Sequence, residues 1–271
     1  MSVCKAVMPK IDKALVQQSF DLASTSYHQF TSLQRMIGDR LIEQQKERTA
    51  EPLTVLDVGS GTGYLTRKLS QMKGVERLYA LDISTAMLNQ TELNTKGLNV
   101  TGRICADAEQ LPLQSESVGA IYSNLAYQWC SELQQAFKET NRVLQQHGVL
   151  AFSTFGEKTL FELKNAWRTI DQAVHVNTFI DQQTIERYVE KAGFNEIVVH
   201  SEDIVVHYQT PMQLMLELKG MGAHNINPGR NTGLTGVRSF KRMMQAYESK
   251  RTEKGIPATF QAVYGYAKKQ C

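Results

Sequence analysis

The chain has 271 residues, 42% of them hydrophobic, and a formal net charge of +3. That is enough apolar material for a buried core without disulfide or metal staples, and it sets the expectation of one domain with decorations. No apolar run reaches the roughly 18 residues a membrane helix needs. The start MSVCKAVMPKIDK lacks a signal-peptide core, and Cys4, Cys105, Cys130 and Cys271 form no CxxC pair, so a cytoplasmic chain with free thiols and no metal site is expected.

In chain order, 16–41 reads as a helix pair, and 1–48 is expected to form an N-terminal helical segment that closes over a site in 49–271. Short apolar runs at 53–58, 77–83, 102–105, 118–124 and 148–155 then alternate with helical patterns such as Leu65, Leu69 and Met72, or SELQQAFKETNRVLQ at 131–145. Five strand–helix units in succession predict an open parallel sheet with helices on both faces. Residues 156–194 read as mostly helical, 195–209 as a sixth strand, 211–250 as helical around a Gly/Asn-rich break, and 258–269 as a last strand. From Tyr208 onward ten Lys/Arg face three acids, a net +7 that leaves −4 on the first 207 residues. Such a run is either a solvated helical face or a patch for an anionic partner.

The stretch VLDVGSGTGYLTRKL, 55–69, carries the strongest local signal. A strand ending near Asp57 runs into Gly59, Gly61 and Gly63 and then into a helix, the arrangement of a nucleotide-type site at the carboxyl end of a sheet. A dinucleotide fingerprint would need its third glycine at position 64, which is Tyr. The closer spacing Asp-x-Gly-x-Gly-x-Gly resembles the first motif of the Rossmann-like, S-adenosylmethionine-dependent methyltransferases. The resemblance implies a seven-stranded, mostly parallel α/β sheet and S-adenosylmethionine as the cofactor. It also implies Asp57 near the cofactor ammonium, with Gly59, Gly61 and Gly63 around its amino-acid end. Asp82, which could instead cap a helix, and Ile83 would meet the ribose. Asp107 and Ala108 would meet the adenine, and Asn124 and Trp129 would line the methyl-transfer site. Asn124 reads equally as a turn residue and Trp129 as a core residue.

LAYQWC, FSTFGEKTLFELKNAW, HVNTF, LKGMGAHNINPGR and PATFQAVYGYAKK, with VQQSFDLASTSYHQFTSLQRMIGDRL near the start, together resemble the malonyl-[acyl-carrier protein] O-methyltransferases of biotin synthesis over nearly the whole chain. One departure is His28, where relatives often carry an acid. The resemblance implies methylation of the free carboxylate of a malonyl thioester, on carrier protein or on coenzyme A. A carboxylate is ionised at neutral pH, so no general base is expected. Tyr27, Asn124 and Trp129 would position the reactants, with Tyr27 reading equally as a packed interfacial ring. Helical lids at about 156–180 and 210–256 would exclude water. Lys219, Arg230, Arg238, Lys241, Arg242 and Arg251 would meet the substrate or its acidic carrier protein, and a monomer without nucleic-acid or membrane partners is expected. Arg142 is either a substrate cation or a structural residue. Methylation of another small carboxylate, quinone or lipid-like acceptor, and a non-catalytic cofactor-binding role, remain the alternatives. Nucleic-acid methylation is disfavoured, because Asn124-Leu125-Ala126-Tyr127 stands where an Asn-Pro-Pro-Tyr-like motif would fall.

Overall fold

A computed structural model describes residues 11–45, 54–222 and 236–270. Seven strands form one sheet: β1 Thr54–Val58, β2 Arg77–Asp82, β3 Gly102–Cys105, β4 Val118–Asn124, β5 Leu144–Phe155, β6 Phe194–Tyr208 and β7 Ile256–Lys269. Their order is β3-β2-β1-β4-β5-β7-β6. The first five pair in parallel, and β7 runs antiparallel between β5 and β6. The order reverses between β1 and β4, which is where an open α/β sheet leaves a crevice beyond its carboxyl ends.

Alternation along the strands sorts the core into two layers. Val55, Leu78, Ala120 and Ala151 pack with α2 Ser32–Gln45, α3 Tyr64–Leu69, α6 Phe161–Arg168, α8 Pro211–Gly220 and α9 Val237–Glu248. Leu56, Leu81, Ile121 and Leu150 pack on the other face with α5 Leu133–Val143 and α7 Gln182–Lys191. Helix α1, Lys13–Ala23, starts where Asp12 accepts from the amides of Ala14 and Leu15, and α4, Thr85–Asn94, where Ser84 accepts from Met87. These are ordinary N-caps.

The expected five strand–helix units are four. No helix joins β3 to β4, and residues 106–117 form a loop instead. Arg142, at the end of α5, holds that loop: its guanidinium donates to the carbonyls of Leu113 (2.8 Å) and Leu111 (2.9 Å), and its partner Glu139 accepts from the Leu111 amide. Of the two readings of Arg142, the structural one describes these contacts. Within the expected lid 156–180, α6 is built into the core. Leu163, Ala166 and Trp167 are buried, and the buried Glu162 carboxylate accepts from the Thr259 amide and hydroxyl on β7. In 210–256, the end of α8 meets the N-terminal helices: the Ser26 hydroxyl donates to the Gly220 carbonyl, and Gln34 reaches Met221.

Candidate active site

A cleft of about 640 Å³ opens at the carboxyl ends of β1, β2, β3 and β4, roofed by α1 and by Tyr27. Its floor is the glycine loop. The amides of Gly59 and Ser60 donate to the Leu81 carbonyl (2.8 and 2.9 Å), and the Gly61 amide donates to Asp82 Oδ2 (2.9 Å). From α4, Thr91 Oγ1 donates to the Gly61 carbonyl and Asn94 Nδ2 to the Thr62 carbonyl, both at 2.8 Å. The loop is therefore fixed in place before any ligand arrives.

The three glycines stand there for three reasons. All have positive φ: 74° at Gly59, 54° at Gly61 and 86° at Gly63. A Cβ on Gly59 would overlap the Ala126 methyl, and one on Gly63 would press on Thr91 at 3.1 Å. Both serve close packing of neighbouring segments. Only at Gly61 would the side chain enter the cleft, with Tyr27 Cε1 as its nearest neighbour at 3.8 Å.

Among the expected residues, Tyr27, Gly59, Gly61, Asp82, Ile83, Asp107, Ala108, Asn124 and Trp129 line this cleft. Two do not. Asp57 is fully buried and is not among the residues that line the cleft; its Oδ2 accepts from Thr66 Oγ1 at 2.6 Å in the first turn of α3, bracing the helix beneath the loop, while its Oδ1 has no hydrogen-bond partner. Burial pushes its pKa up to about 7 against that hydrogen bond. Gly63 likewise lies behind the loop, against α4. The basic residues stay apart: Lys219 on α8, Arg238, Lys241 and Arg242 on α9, and Arg251 beyond it are exposed and line no part of the cleft. Arg251 is tied to Glu248 and to the Gln209 carbonyl. Arg230 lies outside the described residues.

Asp82 ends β2 with Oδ1 accepting from Ser84 and Oδ2 from Gly61, so it fastens the loop and leaves the N-cap of α4 to Ser84. Burial pushes its pKa up to about 6, against the pull of those two amides. Burial, with the Asp82 charge, drives the Tyr27 hydroxyl above the usual phenol range, so at neutral pH it is a donor. Asn124 is locked, its Nδ2 donating to the Gln34 carbonyl (2.9 Å) and its Oδ1 accepting from Ser153 Oγ (2.7 Å). Trp129 meets Phe20 edge-on at 5.4 Å.

Lys13 was not legible as a site residue. From the start of α1 it lines the cleft and pairs with Asp107 (2.8 Å) and Glu109 (2.7 Å). Asp21 accepts from the Ser84 hydroxyl at 2.5 Å, and the Ser131 hydroxyl donates to the Ile11 carbonyl, so the roof helix is moored at both ends. Cys130 lines the cleft as a free thiol, pushed up to about 12 by burial and therefore protonated. A second, more apolar cavity of about 540 Å³ shares Cys130 with the first and is walled by Tyr127, Phe155, Phe179 and Ile180 at the ends of β4 and β5. Among the described residues no cluster of His, Cys, Asp and Glu could hold a metal ion, and no helix is long and apolar enough to cross a membrane.

Residues 56–152 match the family model described as "Methyltransferase domain". The chain is 40% identical to a malonyl-[acyl-carrier protein] O-methyltransferase of Methylovorus sp., over 95% of this chain and 89% of that one. The chain belongs to the malonyl-[acyl-carrier protein] O-methyltransferase family. A second member, from Gallionella capsiferriformans, is 36% identical over 95% of this chain and 91% of its own. A biotin biosynthesis bifunctional protein BioHC of Cellvibrio japonicus is 38% identical over 94% of this chain and 50% of its own length. The fold of this O-methyltransferase family member is shared by the YcgJ protein of Bacillus subtilis at TM-score 0.62 and 16% identity, covering 86% of this chain and 99% of that one. It is also shared by the Haemonchus contortus phosphoethanolamine N-methyltransferase 2 in complex with S-adenosyl-L-methionine, at TM-score 0.56 and 16% identity, over 93% of this chain and 57% of that one.

Proposed function

We propose that the cleft binds S-adenosylmethionine and that the protein methylates the free carboxylate of a malonyl thioester carried by an acidic acyl-carrier protein, in the cytoplasm and as a monomer. The observation that carries the reading is similarity to malonyl-[acyl-carrier protein] O-methyltransferases over 95% of the chain, well beyond the 56–152 that match the methyltransferase domain model. The residues present fit the cofactor. The bare Gly61 leaves room on the floor, Asp82 keeps lone pairs for ribose hydroxyls beyond those its two amides use, and Ile83, Ala106 and Ala108 offer flat apolar walls beside Asp107.

When bound, S-adenosylmethionine supplies a methyl group on a sulfonium cation. The protein's part is to position and to dry. The malonyl carboxylate is ionised without help, so the reaction needs no general base; Tyr27 and Cys130 are kept protonated, and Asp107 is paired with Lys13. Phe20, Trp129 and α1 keep water out, which favours the desolvated nucleophile. The acceptor arm enters by the second cavity, whose apolar walls suit a thioester chain. Arg238, Lys241 and Arg242 are exposed on α9 and form no ion pair with a described carboxylate, so their charge is available to steer an acidic partner. Transfer of labelled methyl to malonyl-, succinyl- and acetyl-carrier protein tests the proposal. Label on the malonyl form in preference to the succinyl form, and none on the acetyl form, is expected; no malonyl labelling refutes it.

A further inference from the structure

Phe155 and Phe179 wall the second cavity, their rings meeting edge to face at 5.6 Å. Behind Phe179 stands a cation: Lys164 Nζ lies 5.4 Å from the centre of that ring and does not line the cavity itself. Lys164 is half-buried on α6, and Arg168 follows it one turn later. Neither forms an ion pair with a described carboxylate. Lys164 Nζ donates to the Glu157 carbonyl and Arg168 Nη1 to Asn165 Oδ1, both at 3.3 Å. Lys158, in the loop before α6, is the contrast, since Asp203 takes its charge at 3.3 Å.

Burial, with the Arg168 charge, pulls the Lys164 pKa down to about 8, against the opposite pull of the Glu157 carboxylate. Like charges one helical turn apart repel, and burial penalises an ammonium that has no counterion. An anion between the two cations relieves both costs, and a phosphate brings oxygens enough to meet both. The cavity selects which anion arrives. The malonyl carboxylate must lie in the cleft, on the other side of Cys130, where the two spaces meet. The charge that reaches Lys164 therefore belongs to the other end of the acceptor. A pantetheine arm carries one there, the phosphate that acyl-carrier protein and coenzyme A have in common.

We infer that Lys164 and Arg168 form a phosphate site beside the second cavity, and that it takes the phosphate of the acceptor's phosphopantetheine arm. The inference rests on the acceptor reading above and adds to it a point that fixes how far the arm is drawn in. With the phosphate held behind Phe179, the thioester lies among apolar walls and the carboxylate projects into the cleft.

Steady-state methylation of malonyl-pantetheine and malonyl-phosphopantetheine, which differ only in the phosphate, tests the site. The wild type is expected to prefer the phosphorylated substrate by roughly tenfold to a hundredfold in kcat/KM, the range for a charge-assisted hydrogen bond. Lys164→Met keeps an unbranched side chain against Phe179 and removes the charge. It should lose most of that preference, through KM for the phosphorylated substrate. Lys164→Arg should keep most of it, and Arg168→Ala should lose part. Malonyl-carrier protein and malonyl-coenzyme A should suffer alike in Lys164→Met, because the site reads the phosphate they share. A wild type without the preference, or a Lys164→Met variant that retains it, overturns the assignment. So does a parallel loss on malonyl-pantetheine, which would place Lys164 in the fold, and so does a loss confined to carrier protein, which would place it on a protein-docking surface. A wild type that methylates no malonyl thioester refutes the acceptor reading itself.

Discussion

Replacing Gly59 and Gly61 by alanine should produce two different failures. Alanine at either position adopts a left-handed backbone, at a cost of roughly 1–2 kcal/mol. At Gly59 the new methyl also overlaps Ala126, in the segment that follows β4. Forcing a methyl into packed surroundings adds about 1–3 kcal/mol, so Gly59→Ala should lose about 2–5 kcal/mol of stability. At Gly61 the nearest atom is 3.8 Å away, across ligand space. Gly61→Ala should therefore cost only the backbone term in stability and fall mainly on cofactor affinity. Urea denaturation gives the first quantity and titration with S-adenosylhomocysteine the second. Adding Ala126→Gly to Gly59→Ala should return the overlap term and leave the backbone term. If Gly59→Ala unfolds no more easily than Gly61→Ala, or if Ala126→Gly restores nothing, the packing account of the first glycine is wrong.

Asp57 is held by burial at a pKa of about 7, above its ordinary 3.8, so the folded protein binds that proton more tightly than the unfolded chain. Its contribution to stability is present at low pH and lost as pH rises through about 4 to 7, by at most about 4 kcal/mol; Asp57→Asn should flatten that part of a melting-temperature profile, and an unchanged slope would refute it. Asp82→Ala should weaken S-adenosylhomocysteine binding roughly tenfold or more by removing a charged acceptor. It should also lower the melting temperature, since the Gly61 and Ser84 amides lose their partner. Lys241→Glu with Arg242→Glu should raise KM for malonyl-carrier protein while sparing kcat and a malonyl thioester on a small thiol, with the defect shrinking in salt; equal loss on both substrates would assign these residues to the fold.

How much of this was legible followed from sequence distance. β1 and β4 in the middle of the sheet are largely buried and read as short apolar runs, and β1 to β4 all fall within a residue or so of the expected ranges. β5 begins earlier than 148 because Leu144 pairs with Val118 before a bulge, with His147 at φ 62°, rejoins the ladder at Val149. Residues 106–117 are interrupted by Pro112, which would break a helix there, and Arg142 supplies from the side the order that a helix would have supplied from within. Asp57 stands next to the glycines in sequence, yet its side chain turns under the loop toward Thr66, a direction that sequence spacing does not give.

The residues that escaped the sequence reading share one property. Lys13 and Gln34 lie in amphipathic helices whose pattern announces only a packed face, and nothing in that pattern says which polar residue overhangs the end of a sheet. What placed them was tertiary contact: Asp12 starting α1 so that Lys13 reaches Asp107, and Asn124 gripping the Gln34 carbonyl so that α2 lies beside the glycine loop. The glycine motif can therefore name a class of ligand. Which polar side chains overhang the carboxyl end of the sheet is set by helix placement, which the motif never mentions.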